Sequence, residues 1–277
     1  MMRNRIFLFQ VFIVIFSGLP SYVFSQNMSV LYELTYKPDP ASGTQAENQN
    51  YVLDIVSRKS VFRTDFRKQS DSMILKTGLG TGYNSNINTE LYFTKDLNGP
   101  SYRKYFVSPL SRDRFFIDIT DELKWDILPE TAIIENIKCQ KAEFEYGGRH
   151  WIAWFSGDIA TSEGPYYFHG LPGLIIQIED DHHDFLFRVI QIKKNTENSL
   201  YETKGGNMIT WEQYKKLLQD YFSDPLSSVK AKGMNVMTDD GNGGYKPVDT
   251  RDYIKKIQER IEKSNNPVEL NQKVEYK

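Results

Sequence analysis

The residues best suited to chemistry in this chain lie in the stretch Glu179-Asp180-Asp181-His182-His183-Asp184. Carboxylates and imidazoles together can hold a divalent metal ion. The candidate ligands of such a site are His169, His182, His183 and Asp184. Because the stretch falls between two strand patterns, it also predicts a hairpin tip, where charged side chains are usually solvated. A metal-dependent hydrolase that uses these histidines and the nearby carboxylates is one function that the stretch supports.

A second set of candidates combines aromatic residues with an arginine and a glycine-rich turn. In the strand pattern Arg149-His150-Trp151-Ile152-Ala153-Trp154-Phe155, an arginine stacked on tryptophan at the mouth of a pocket could recognise a carboxylate or a glycan. The alternative is that Arg149 packs against aromatic residues in the interior. The candidate binding residues are Arg149, Trp151, Trp154, His169, Gly170, Pro172 and Gly173.

The turn at the centre of this set is Gly170-Leu171-Pro172-Gly173-Leu174-Ile175. Pro172 fixes φ at the second position of a type II turn, and Gly173 accepts the positive φ that the third position requires. Gly170 allows a close approach to a neighbouring chain segment. We expect a rigid corner that aims the following Leu-Ile-Ile segment into the core, with a binding loop made of its backbone amides as the alternative.

Other catalytic arrangements are missing from the sequence. Cys139 is the one cysteine, so the chain has no internal disulfide, and its pattern predicts a buried small side chain. The sequence contains no Gly-x-Ser-x-Gly elbow, no His-Glu-x-x-His helix and no nucleotide-binding glycine loop. This pattern favours a protein that is not an enzyme, and it predicts no cofactor apart from the divalent metal considered above.

The first residues have the pattern of a signal peptide. Arg3 and Arg5 precede an apolar run from Ile6 to Phe16, and small Ser25 suits the position before a cleavage site. We expect residues 1–25 to be removed, leaving residues 26–277 as a single domain with no transmembrane segment. No cysteine lies near Ser25, so the pattern predicts a periplasmic or secreted protein and not a lipoprotein.

The charge of the chain is nearly balanced. Cleavage would reduce 34 basic residues to 32 against 36 acidic ones, which changes the net charge from −2 to −4. This charge gives no electrostatic basis for binding nucleic acid.

Short segments of alternating hydrophobicity dominate the chain, and aromatic residues make up 14% of it. About ten such segments predict a mainly β fold: one antiparallel meander, as a curved sheet, a half-barrel or a sandwich. One of these segments is Ser60–Phe66. Helical spacing appears only late, so we predict two helices near the C-terminus; Thr210 and Gln213 form a capping box for the first, and Thr250 is the candidate cap of the second.

Several short sequence blocks lie before, at and after the predicted corner Gly170–Ile175. They are Cys139–Ala142, Gly148-Arg149, Trp151–Phe155, Gly164-Pro165, Gly170–Ile175 and the late Asn266-Pro267-Val268-Glu269-Leu270. The chain thereby resembles the GLPGLI family of exported Bacteroidota proteins, which is named for the hexapeptide. The resemblance implies export but no particular activity.

The sequence therefore favours an exported cell-envelope protein that binds a ligand or a partner without catalysis. A concave aromatic sheet suits an apolar, peptide or glycan ligand, and an envelope protein such as an outer-membrane uptake receptor is a further candidate partner. A third alternative is an assembly or sorting factor whose edge strands pair with another protein.

Overall fold

A computed structural model of the chain describes residues 27–42, 45–80, 90–99, 101–108, 113–196, 200 and 205–276. The expected signal peptide lies outside the described residues. Strands outweigh helices and form a large, curved, mostly antiparallel sheet, which confirms the mainly β prediction. No helix in the described ranges combines the length and the apolar character that a membrane crossing requires.

Twelve of the described strands form one sheet. In chain order they are β1 (Met28–Tyr36), β2 (Glu47–Val56), β3 (Lys59–Thr64), β4 (Tyr92–Asp96), β5 (Ser101–Val107), β6 (Arg114–Asp118), β7 (Asp126–Ile134), β8 (Ile137–Tyr146), β9 (Arg149–Ser156), β10 (Leu174–Asp180), β11 (Phe185–Lys194) and β12 (Asn207–Met208). The described helices are α1 (Asp65–Thr77), α2 (Trp211–Ser223), α3 (Ser227–Ala231) and α4 (Thr250–Glu262). A separate two-stranded ribbon contains β13 (Met237–Asp239) and β14 (Tyr245–Pro247).

The predicted meander takes the form of two runs of consecutively paired strands, joined in one sheet where β1 pairs with β11. Its strand order is β12-β6-β5-β4-β3-β2-β1-β11-β10-β9-β8-β7. The first strand, β1, pairs with β2 on one side and with β11 on the other. Alternate side chains of β1 are buried, as expected for a strand with one face on the core. Only β12 departs from the antiparallel pattern, since it pairs parallel to β6.

The helices differ from the prediction at both ends of the chain. The expected strand Ser60–Phe66 ends at Thr64, whose side chain accepts a hydrogen bond from the Arg67 amide (3.1 Å) and begins α1. This helix ends at Gly78, which adopts the left-handed conformation. Both helices predicted near the C-terminus are present as α2 and α4, and the five-residue α3 lies between them. The capping box at Thr210 is confirmed, whereas α4 is capped by Asp249 and not by Thr250.

The core of the protein is organised around an aromatic segment, Tyr166–Phe168, in the connection from β9 to β10. All three side chains are at most 1% exposed. The Tyr166 ring lies 5.1 Å from that of Phe93 on β4, and the Phe168 ring lies 4.6 Å from that of Trp151 on β9. Since β4 and β9 are far apart in the strand order, the sheet curves around this segment. The hollow expected to receive a ligand is therefore filled by the chain itself.

One edge of the sheet is the strand β7. Pro129 removes an amide donor there and lies within a break in the register of β7 with β8, between Ile127 and Thr131. Ile133 is 77% exposed beyond that break. Only residues 131–134 therefore present a regular edge of the kind that the assembly-factor alternative requires.

Replacing Phe168 with alanine tests whether this connection is core. We expect the free energy of unfolding, measured in urea, to fall by about 3–5 kcal/mol, because a fully buried ring is lost from between the two meanders. Ile133→Ala, which removes an exposed side chain of β7, should change it by less than about 0.5 kcal/mol. A loss below about 1 kcal/mol for Phe168→Ala would show that the aromatic segment does not support the fold.

Candidate functional site

The predicted corner is present, but Gly170 and Gly173 have each other's expected role: Gly170 has the positive φ and Gly173 makes the close approach. Gly170 has φ 96°, so it is the residue that needs glycine for its backbone conformation. Gly173 is needed for close approach, because a Cβ there would overlap Ser156 O and lie 2.8 Å from the Gly157 amide nitrogen. The Gly173 amide donates to Leu171 O (2.8 Å), an i to i+2 bond that makes a γ-turn around Pro172 instead of the expected type II turn.

The segment after the corner is in the core, as the sequence predicts. Leu174, Ile175 and Ile176 are all 0% exposed and belong to β10. The pairing of β10 with β9 shifts between Ile175 and Gln177. This bulge explains why three consecutive side chains are buried in a strand whose side chains would otherwise alternate between faces.

A buried ion pair fixes the start of the same connection. Lys95 Nζ lies 2.6 Å from Glu163 Oε2, and both side chains are almost inaccessible. Lys95 also donates to Gly164 O (2.9 Å). Burial lowers the pKa of Lys95, and the neighbouring Glu163 carboxylate opposes that shift. Sequence reasoning missed this pair because its members lie 68 residues apart on segments that showed no shared pattern.

His169 is half-buried at the edge of the connection. Its ring lies 4.5 Å from that of Tyr102, and its Nδ1 is 2.6 Å from Tyr167 O. Burial and the charge of Lys95 lower the pKa of His169 to about 4, so the ring is neutral at ordinary pH. Trp125 Nε1 donates to His169 O (2.8 Å) and holds the backbone at this point.

A cleft of about 370 Å³ opens on the outer side of the corner. Its walls come from three parts of the chain: the end of β2 and the turn after it (Ile55, Ser57 and Arg58), Leu97, and the β9–β10 connection (residues 160–163, Pro172 and Gly173). Arg58 and Ser162 are exposed there, and Arg58 Nη2 donates to Leu97 O (2.9 Å). Of the candidate binding residues, Pro172 and Gly173 line this cleft.

Arg149 lies in the interior and not at a pocket mouth. Its guanidinium donates to Asp180 (2.8 Å), Asp184 (3.2 Å) and Asn266 (2.5 Å), and its remaining donors reach the backbone carbonyls of residues 267 and 268. Arg149 therefore connects β9 to the β10–β11 hairpin and to the C-terminal segment. Trp151 is also fully buried, so neither side chain is placed to meet a ligand.

Glu269, in the same C-terminal segment, forms a second buried polar centre. Its carboxylate accepts hydrogen bonds from Lys104 Nζ (2.6 Å), Tyr146 (3.0 Å) and Tyr166. These contacts attach the end of the chain to both meanders and to the aromatic segment. The late block that begins at Asn266 was visible in the sequence, but nothing in its spacing indicated which strands it would meet.

The candidate metal ligands do not converge. His182 and His183 lie at the tip of the β10–β11 hairpin, as predicted, and the potential ligand atoms of Asp180, Asp181 and His182 lie within 4.8 Å of one another. Within the described residues this group includes neither His169 nor His183 nor Asp184. Both carboxylate oxygens of Asp180 already accept hydrogen bonds: Oδ1 from the amides of residues 184 and 185, and Oδ2 from Arg149.

Cys139 is 2% exposed, and burial raises the pKa of its thiol to about 11. This environment agrees with the prediction of a buried small side chain. A thiol with so high a pKa is a poor nucleophile at neutral pH.

Three comparisons with known proteins give matches among solved structures alone. No family model and no curated protein matches the chain. Among solved structures, two crystal forms of PNGF-II match, with TM-scores of 0.48 and 0.47 and identities of 12% and 10%. The matches cover 70% and 69% of this chain but only 32% and 33% of PNGF-II, so the chain spans about a third of that protein. A likeness this weak transfers neither fold nor function.

The close approach at the corner gives a direct test. Gly173→Ala should lower the free energy of unfolding by about 3 kcal/mol or more, because the new methyl group would overlap the backbone at Ser156. Gly157→Ala is the matched control: its φ is not positive and its nearest neighbour would be 3.6 Å away, so the change should stay within about 1 kcal/mol. Equal urea midpoints for the two variants would contradict this packing.

The buried arginine gives a second test. Arg149→Met leaves the Asp180 carboxylate buried without its cation, and we expect a loss of about 3–5 kcal/mol in the free energy of unfolding. Arg103→Met breaks the Arg103–Asp118 pair, in which both side chains are 40% exposed, and should lose no more than about 1 kcal/mol. A similar small loss in both variants would mean that Arg149 does not hold these segments together.

Proposed function

We propose that this protein is an exported cell-envelope protein that binds a polar peptide or glycan, without catalysis, in the cleft beside the corner at Gly170–Gly173. The observation that carries the proposal is the cleft itself, which is large enough for a small ligand segment and is bounded by three separate parts of the chain. Pro172 and Gly173, which were candidate binding residues in the sequence, form part of its wall.

The lining of the cleft favours a polar ligand over an apolar one. Ser57, Thr161 and Ser162 bring hydroxyl groups to it, and Arg58 brings a cation with several donors. An apolar ligand would instead need the interior of the curved sheet, which the aromatic segment Tyr166–Phe168 fills. A peptide carboxylate or the hydroxyl groups of a glycan match these donors and acceptors.

The cleft is also supported by rigid structure. The ion pair of Lys95 with Glu163 and the close packing of Gly173 against Ser156 fix both ends of the segment that forms one wall. A wall that does not have to be ordered on binding loses less entropy when a ligand arrives. This preformed wall supports recognition as the role of the corner.

A role without catalysis is supported by the state of the groups that could react. The Asp180 carboxylate is ion-paired with Arg149, and the neutral His169 ring is hydrogen-bonded to the backbone carbonyl of Tyr167. Cys139 is buried and its pKa is raised. None of these side chains lines the cleft.

Export rests on the signal-peptide pattern of residues 1–25 and on the resemblance of the later blocks to the GLPGLI family. Two of these blocks are in contact, since Arg149 of the Gly-Arg block donates a hydrogen bond to Asn266 of the late block. An extended segment of an envelope protein, such as an outer-membrane uptake receptor, would present the peptide chemistry that the cleft suits.

Site-specific photocrosslinking tests the cleft in cells that make the protein. A benzoylphenylalanine at Ser162, which is exposed in the cleft, should give a discrete adduct whose mass identifies a peptide or a glycan. The same probe at Lys256, exposed on α4, is the control and should give none. Adding Arg58→Gln should reduce the Ser162 adduct by about tenfold, because a charged hydrogen bond is lost. No adduct at Ser162, or the same adducts at both positions, would refute the proposal.

A further inference from the structure

Of the described residues that line the cleft beside the corner, Arg58 is the one that carries a positive charge. It lies in the turn between β2 and β3, and among the described residues its guanidinium has one hydrogen-bond partner, Leu97 O, at 2.9 Å from Nη2. The Leu97 amide donates in return to Arg58 O (2.8 Å), so this turn is tied to the residue that follows β4. One donor holds the guanidinium in place, and its other N–H groups remain available to a ligand.

The carboxylate in the lining of the cleft is already neutralised. Glu163 Oε2 lies 2.6 Å from Lys95 Nζ, and both side chains are almost inaccessible to solvent. Lys59 and Asp96, which adjoin the two residues of the tied turn, form a second ion pair with each other (3.2 Å). The charge of Arg58 is therefore not offset inside the cleft, and this favours an anionic group over a neutral or a cationic one.

Three hydroxyl groups in the same lining can bond to the same anion. They belong to Ser57, Thr161 and Ser162, and none of them is hydrogen-bonded to another described residue. A carboxylate matches this set of donors, because its two oxygens can accept paired hydrogen bonds from a guanidinium and further bonds from hydroxyl groups.

The apolar part of the lining distinguishes a peptide from a glycan. Among the described residues that line the cleft, none is aromatic, so a sugar ring would find no aromatic face to pack against. Leu97, Ala160 and Pro172 bring aliphatic groups instead, and Leu97 is half-buried. Aliphatic groups beside a carboxylate-binding arginine suit the last residue of a peptide chain, in which a carboxylate and a side chain are joined at one Cα atom.

We propose that the cleft binds the C-terminal end of a peptide chain, with the terminal carboxylate on Arg58 and an aliphatic last side chain against Leu97 and Pro172. This inference rests on the proposed function and narrows its ligand to a peptide with a free C-terminus. The volume of about 370 Å³ is near the lower limit of small-ligand sites, so the cleft takes the last few residues and not a long segment. Both contact points are preformed, since Arg58 is held by Leu97 O and Pro172 precedes the close contact of Gly173 with Ser156.

The tripeptide N-acetyl-Gly-Gly-Val is the probe for this site, used with a free C-terminal carboxylate or with a C-terminal amide. In calorimetry on the whole protein at low ionic strength, we expect the carboxylate form to bind with a dissociation constant on the order of 1 mM. The amide form should bind at least about tenfold more weakly, because it has no charge to pair with Arg58. Digalacturonate, which carries its carboxylates on a glycan, should bind no better than the amide form. Equal binding of the two tripeptides, or tighter binding of digalacturonate, would overturn the proposal.

Variants assign the preference for the carboxylate to one side chain. Arg58→Gln should bind the two tripeptides equally, and Arg58→Lys, which keeps the charge but loses the planar pair of donors, should keep a preference of about threefold. Arg251→Gln, at an exposed arginine of α4, is the matched control and should behave like the parent. Since both positions are exposed, none of these changes should move the urea midpoint of unfolding. A full tenfold preference in Arg58→Gln would overturn the role of Arg58.

The photocrosslinking at Ser162 separates this inference from the proposed function. An adduct identified as a glycan, together with no binding of the tripeptide, would overturn the C-terminal peptide and leave the cleft as a binding site. No adduct at Ser162 together with no binding of the tripeptide would refute both. An adduct that contains the C-terminal residue of a peptide chain is the expected result.

Discussion

The packing of the aromatic segment Tyr166–Phe168 between the two meanders is the contact on which the rest of the structure depends. Each meander alone would expose an apolar face, which must be buried against another part of the chain. The rings supplied by the β9–β10 connection bring β4 and β9 to a common interior. The corner at Gly170–Gly173, the outer cleft and the burial of the Leu-Ile-Ile segment all follow from where this segment must turn back into the sheet.

Buried charges add a second level of organisation, and each one joins segments that are distant in sequence. Lys95 with Glu163 fixes the connection, Arg149 with Asp180 and Asn266 attaches the hairpin and the C-terminal segment, and Glu269 receives donors from both meanders. Since an unpaired charge in such a place is far less favourable than an exposed one, these groups select one arrangement of the segments.

Alternating patterns in the sequence predicted most strands and the hairpin tip at His182, and the apolar run after the corner predicted the burial of Leu174–Ile176. They did not predict that β1 would join two meanders, because strand order depends on pairing between distant segments and not on local periodicity. Helix α1 was missed although Thr64 and Gly78 supply ordinary caps, since Ser60–Phe66 alternates like a strand. Gly170 and Gly173 were recognised as special, but which one needs positive φ and which one needs space depended on the position of Ser156.

The central position of β1 has a consequence for how the chain acquires its structure. Met28 is paired with Lys194, so the earliest described strand waits for a partner that is synthesised about 170 residues later. A sheet closed by so distant a pairing forms slowly, because the loop entropy is lost before the contacts are gained. Until residues 185–194 are present, the side of β1 that pairs with β11 has no partner strand, so the two meanders cannot be joined into one sheet.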